Sequence, residues 1–212
     1  MNYGQMKDYI LQLINRYSVA GTKYQPSYNN QQDYILKIPG LINDGLIYIA
    51  SSIRKIPAQH ILCPHEGEMY GQHYRRYILP EDCLEVQSGG LMLPGARQGE
   101  SRWLKEYILQ EPDFILLPAW LKEDAVLEYY RRPQLLPQAP EEDCRVDALL
   151  DVQMAVCYYA AAHLVIHDDE YIYTMLYNEF ENRASRLVQA PTTEIGRVYD
   201  AYGIEGWGDG YG

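Results

Sequence analysis

The chain has 212 residues, of which 47% are hydrophobic and 22% charged, a balance that buries a core and excludes wholesale disorder. Its formal net charge of −11 leaves no basic footprint for nucleic acid, so contact of its surface with DNA is repulsive. A membrane-spanning helix needs about 20 apolar residues; the longest apolar run, "MAVCYYAAAHLVI" at 154–166, is shorter, holds a histidine and runs into acids, so it predicts a buried helix.

The opening "MNYGQMKDYI" has neither a basic leader nor an apolar leader segment and predicts no signal peptide. Met6, Tyr9, Ile10, Leu13, Ile14 and Tyr17 fall on one face at helical spacing, and Asn2 with Gln5 forms a candidate capping box. After the turn-rich "SVAGTKYQPSYNN", a longer helical pattern places Ile35, Ile38, Ile42, Leu46, Ile49 and Ile53 at steps of three and four. Pro39 and Gly40 interrupt it, and proline's missing donor predicts a kink or a break there.

From about residue 58 to 136 the period changes. "HYRRYILP", "LEVQSGG", "KEYILQ", "DFILLP" and "AVLEYYRRP" predict an antiparallel β module of five or six strands, with "SGG" and "EPD" as turns. In "AVLEYYRRP", Leu127, Tyr129 and Arg131 share one face, and Val126, Glu128, Tyr130 and Arg132 the other. The proline-rich, acidic "PQLLPQAPEEDCRVD" is a connector. Helical periodicity then resumes, with Asp147 or Asp151 as the predicted N-cap and Val152, Val156, Tyr159, Ala160 and His163 on one stripe. A last helix carries Ile172, Met175, Leu176, Phe180, Ala184 and Leu187 on its apolar face.

The chemistry is sparse. His163 and His167 stand four apart with Asp168 beside them, a spacing that suits a metal-dependent phosphohydrolase. The same residues also suit the junction of two helices: Asp168 or Asp169 as a cap, Glu170 at the positive end of one helix and His167 at the negative end of the other. "CPHEGE" at 63–68 reads as a polar loop leading into the β module. No phosphate-binding glycine loop and no nucleophile elbow occurs, and no cofactor or metal is expected. Cys63, Cys83, Cys144 and Cys157 lack the spacing of a zinc or disulfide framework and predict reduced thiols in a cytoplasmic setting.

Twenty-one tyrosines against two phenylalanines suit surfaces that are wet before assembly and buried after it, or else reflect the habit of the source organism. The tail "APTTEIGRVYDAYGIEGWGDGYG" has six glycines in its last 17 residues together with Tyr199, Tyr202, Trp207 and Tyr211. Flexible linkers rarely carry such aromatics, so the tail predicts either a docking peptide anchored by those four residues or a disordered end.

The whole pattern resembles the head-to-tail adaptor (connector) proteins of tailed bacteriophages. The likeness covers about residues 3–190 and rests on "YNNQQDYILKIPGLINDGLIYIASSIRKIPA", the strand end "LEYYRRP" and the helix pair "YYAAAHLVIHDDEYIYTMLYNEFENRASRL". It implies an α+β fold, mainly α: a helix pair at 1–57, an inserted antiparallel β module at 58–136, a second helix pair at 137–190 that completes a four-helix bundle, and an extended docking tail at 191–212. It further implies a structural virion protein of the neck with no enzymatic activity. About twelve copies would form a ring under the portal protein, extend the DNA channel and offer a surface to tail or neck proteins. Viral DNA would pass without sequence-specific binding, and the ring would assemble in the bacterial host cytoplasm. The alternatives are the phosphohydrolase using His163, His167 and Asp168, and a binding β module of a tail component.

Overall fold

Helix α1 (Tyr3–Arg16) begins on the expected capping box: Asn2 Oδ1 accepts from the Gln5 amide at 2.9 Å, and Gln5 Oε1 accepts from the Asn2 amide at 3.1 Å. Its buried stripe is Tyr3, Met6, Ile10 and Leu13. A computed structural model describes residues 1–16, 28–94, 101–104, 106–110 and 113–188. Tyr17, on the predicted stripe, and the tail anchors Tyr199, Tyr202, Trp207 and Tyr211 lie outside the described residues.

Helix α2 (Tyr28–Ser52) runs through Pro39 as one helix, so of the predicted kink or break the break does not occur. An interior proline costs about 3 kcal/mol. Ile38, Ile42, Leu46 and Ile49 are all buried to 2% exposure or less, and each contributes roughly 1.5–3 kcal/mol by leaving water, so burial outweighs the proline. Helix α3 (Leu150–Val165) receives the partner helices: α1, α2 and α4 (Glu170–Leu187) all pack against it. It is therefore buried on most of its circumference rather than along one stripe. Where α2 meets α3, a Cβ on Gly45 would come within 3.0 Å of the Tyr159 ring and 3.2 Å of Val156, so glycine sets the closeness of that contact.

The predicted caps of α3 are not used. Leu149 occupies the N-cap without a side-chain bond, and Asp151 lies exposed in the first turn. Asp147 is taken instead by the end of the last strand and the start of the connector: Arg131 Nη1 and Nη2 donate to its two oxygens at 2.6 and 3.0 Å, and the Gln134 amide donates at 3.0 Å.

Among the described residues the β module has eight strands: β1 (Ile56–Leu62), β2 (Glu68–Tyr70), β3 (Tyr74–Ile78), β4 (Cys83–Pro94), β5 (Ser101–Trp103), β6 (Ile108–Gln110), β7 (Phe114–Pro118) and β8 (Ala125–Arg131). They form two antiparallel sheets, ordered β1-β8-β4-β5 and β2-β3-β7-β6. The predicted turn "SGG" lies inside β4. Pairing of β4 with β8 shifts between Val86 and Leu91, where β4 advances five residues against two on β8, and Gly89 sits in that irregularity at φ +76. Inward residues of both sheets, including Leu62, Tyr77, Leu91, Ile115, Leu117, Leu127 and Tyr129, share one hydrophobic cluster. The β8 face carrying Leu127 and Tyr129 is thus the core face. A separate cluster unites α1, α2, α3 and α4.

The connector is fastened to the helices. Asn43 on α2 both donates to the Leu136 carbonyl (2.9 Å) and accepts from its amide (2.8 Å). The Tyr3 and Gly4 amides donate to the carbonyls of Cys144 and Glu142. Gln153, buried on α3, donates to the carbonyls of Val146 and Ala148 and accepts from the N-terminal amine. Among the described residues, no helix is long and apolar enough to cross a membrane.

Candidate interaction surfaces and polar clusters

The α3–α4 junction is a capped turn. The amides of Asp168 and Asp169 donate to the Val165 carbonyl, and Asp169 Oδ1 accepts from the amides of Tyr171 and Ile172 at 3.0 Å each. Glu170 stands in the first turn of α4. Asp168 accepts from the Tyr34 hydroxyl, and desolvation together with that carboxylate pushes the Tyr34 phenol up to about 12. His167 is exposed.

His163 lies among aromatic rings. Its Nδ1 meets the Tyr159 carbonyl at 2.8 Å, and its ring lies 4.1 Å from that of Tyr159 and about 6 Å from those of Tyr173 and Tyr177. Three elements thus carry one aromatic seam. Tyr48 of α2 stacks on Tyr159 of α3 (6.2 Å, 15°), and Phe180 of α4 meets Tyr159 edge-on at 5.3 Å. Burial first, and nearby acidic groups second, push the Tyr159 phenol up and the Tyr177 phenol up to about 12, so both stay neutral at ordinary pH. His163, His167 and Asp168 do not converge on a ligand set among the described residues.

Apolar groups remain on the outside. Leu36 and Ile47, eleven residues apart and so on one line of α2, are exposed, as are Tyr171 and Met175 on α4. The β module exposes Met69, Ile78, Trp103 and Trp120. Between helices and β module opens a cleft of about 870 Å³ with Leu46, Ile49 and Leu150 in its wall and Arg54, Lys55, Arg131 and Arg145 around it. Those cations stand out in a chain of net charge −11; Lys55 is paired with Glu85, and Arg131 with Asp147.

The loop after β1 brings three donor side chains together. The ligand atoms of Cys63, His65 and Glu66 lie within 4.8 Å of one another, the only such group of three among the described residues. The Glu66 amide closes the turn on the Cys63 carbonyl at 3.0 Å, and Arg75 donates to the Pro64 carbonyl. Asp124, just before β8, follows on from the Leu62–Ala125 pair that ends the β1–β8 register, which places it on the side of Cys63. Partial desolvation, then the carboxylates of Asp124 and Glu66, push that thiol up. The sequence shows the 63–66 spacing, but nothing in it ties those residues to Asp124. None of the four cysteines forms a disulfide.

No family model matches the chain, and no curated protein matches it.

Proposed function

We propose that the protein is a structural, non-enzymatic virion component: a head–tail adaptor that forms a ring of about twelve copies under the portal protein of a tailed bacteriophage, in the neck of the virion. One observation carries this reading. Helices α1 and α2 share a single core with α3 and α4 although the entire β module, with a core of its own, lies between them in the chain. It supports the interrupted helical frame, read as a four-helix bundle, that the resemblance to adaptor proteins implies.

Surface and charge fit the same role. Exposed Leu36, Ile47, Trp103 and Trp120 and the half-buried tyrosine seam offer contact area to neighbouring copies and to tail or neck proteins. A net charge of −11 per copy gives a channel wall that repels phosphates, so DNA slides instead of sticking. Tyr199, Tyr202, Trp207 and Tyr211 are the proposed anchors of the 191–212 tail on the portal or a neighbouring subunit.

The test mixes purified protein with its portal and images the product by electron microscopy. A ring-shaped complex is expected, and failure to form any complex across a range of salt concentrations overturns the reading.

A further inference from the structure

We propose that Cys63, His65 and Glu66, with Asp124 as fourth donor, form a binding site for one zinc-class divalent cation at the edge of the β module. The three clustered side chains offer sulfur, nitrogen and oxygen within 4.8 Å of one another. A borderline-soft ion such as Zn²⁺ takes this mixture, with bonds of about 2.3 Å to sulfur and 2.0–2.2 Å to nitrogen and oxygen. Tetrahedral ligands at those lengths stand roughly 3.5 Å apart, so closing on an ion asks for side-chain movements of about an ångström. His65 is 80% exposed and Glu66 60%, so both rotate freely enough to make them.

The backbone beneath is already fixed. The turn closes through the Glu66 amide and the Cys63 carbonyl, and Arg75 holds the Pro64 carbonyl. Gly67 lies so close to the Tyr77 ring that a Cβ would come within 2.5 Å of it, so the far side of the loop is packed down. Leu62 pairs with Ala125 across β1 and β8, which sets Asp124 opposite Cys63. Two carboxylates around a thiol favour a cation, and binding exchanges the thiol proton, released to solvent, for a sulfur–metal bond. Glu66 and Asp124 bring two negative charges and the thiolate a third, while Arg75 is turned to the Pro64 carbonyl. The bound ion would tie the loop between the two sheets to the start of β8.

Titration of tag-free, full-length protein with Co²⁺ tests this. One equivalent is expected to give a thiolate-to-cobalt charge-transfer band and tetrahedral d–d absorption, both displaced by Zn²⁺. Cys63→Ser should abolish the band, and His65→Ala, Glu66→Gln and Asp124→Asn should each weaken binding about tenfold or more. His65→Ala changes an exposed side chain, so its melting temperature in EDTA should match the parent protein and loss of binding cannot be blamed on unfolding. No band, a band that survives Cys63→Ser, or an affinity indifferent to His65→Ala overturns the site; an affinity indifferent to Asp124→Asn removes Asp124 from it.

Discussion

The Arg131–Asp147 pair is the firmest polar link between the last strand of the β module and the segment that leads into α3. Asp147 receives two guanidinium bonds at 2.6 and 3.0 Å and a third from the Gln134 amide at 3.0 Å. Both side chains are between a quarter and a third exposed, so solvent screens the pair only in part. Hydrogen bonds to charged groups contribute about 1.5–3 kcal/mol each in net. Discounted for that exposure, a double-mutant cycle with Arg131→Gln and Asp147→Asn should give a coupling of about 1–2 kcal/mol. Each single change should lower the melting temperature by roughly 2–6 °C. The coupling should also depend on pH. The Arg131 guanidinium holds the Asp147 carboxyl below its ordinary value, against the opposing effect of burial. A carboxyl depressed in the folded state contributes fully at neutral pH and loses that contribution as pH falls through its folded value. The assay is urea unfolding of all four proteins at pH 7 and again in acid strong enough to protonate Asp147 in the folded state, below its depressed folded value. Coupling under about 0.3 kcal/mol at pH 7, or coupling unchanged in acid, would refute the assignment of this pair as a link between the two parts of the fold.

Asp169→Ala removes the cap of α4 and should cost about 1 kcal/mol in chemical denaturation, with Asp169→Asn largely restoring it; equal loss in both would mean the cap bond is not the cause. Burial pushes the Cys157 thiol up to about 12, so a thiol-specific reagent at pH 8 should leave it unlabelled in native protein and label it on unfolding; rapid native labelling would contradict its place in the core. Deletion of 191–212 should leave the melting temperature nearly unchanged and weaken ring or portal assembly, because truncating a central aromatic anchor costs about 2 kcal/mol or more; equal assembly by the truncated chain would show the tail to be dispensable.

What the sequence made legible was what local chemistry decides alone. The Asn2–Gln5 box, the Asp169 cap and the buried residues of the α1 and α4 stripes need only neighbours within one or two turns; Met175, predicted on the apolar face of α4, is exposed instead. The misses arise where distant residues decide. Pro39 reads as a breaker until the burial of Ile38 and Ile42 is known. Asp147 reads as a cap until Arg131, sixteen residues earlier, claims it. Strands β2 and β5 have three residues each, too few to display alternation. β1 mixes Pro57, Gln59 and His60 into its run because it is an edge strand, exposed along most of its length, where proline is tolerated. "SGG" carries the composition of a turn, and a register shift inside β4 uses the same glycine at positive φ. For the donor cluster, the 63–66 spacing is local, while Asp124 arrives only by strand pairing.

The β module leaves the helical frame at Ile56 and returns at Arg131, and these two residues face each other across one antiparallel pair. The chain therefore departs and comes back through a doorway one strand spacing wide. In kinetic terms, once β1 and β8 have zipped, the long excursion between α2 and the connector shrinks from about seventy-five residues to the equivalent of a tight turn. That spares roughly 3 kcal/mol of loop-closure entropy when α2 later meets α3. The insertion so acts as a clasp: the slow, non-local search falls to the sheets, and the helices on either side inherit neighbours already in place. Pulsed hydrogen exchange during refolding should find the β1 and β8 amides protected before those of α3, and the reverse order would show that the frame closes without its clasp.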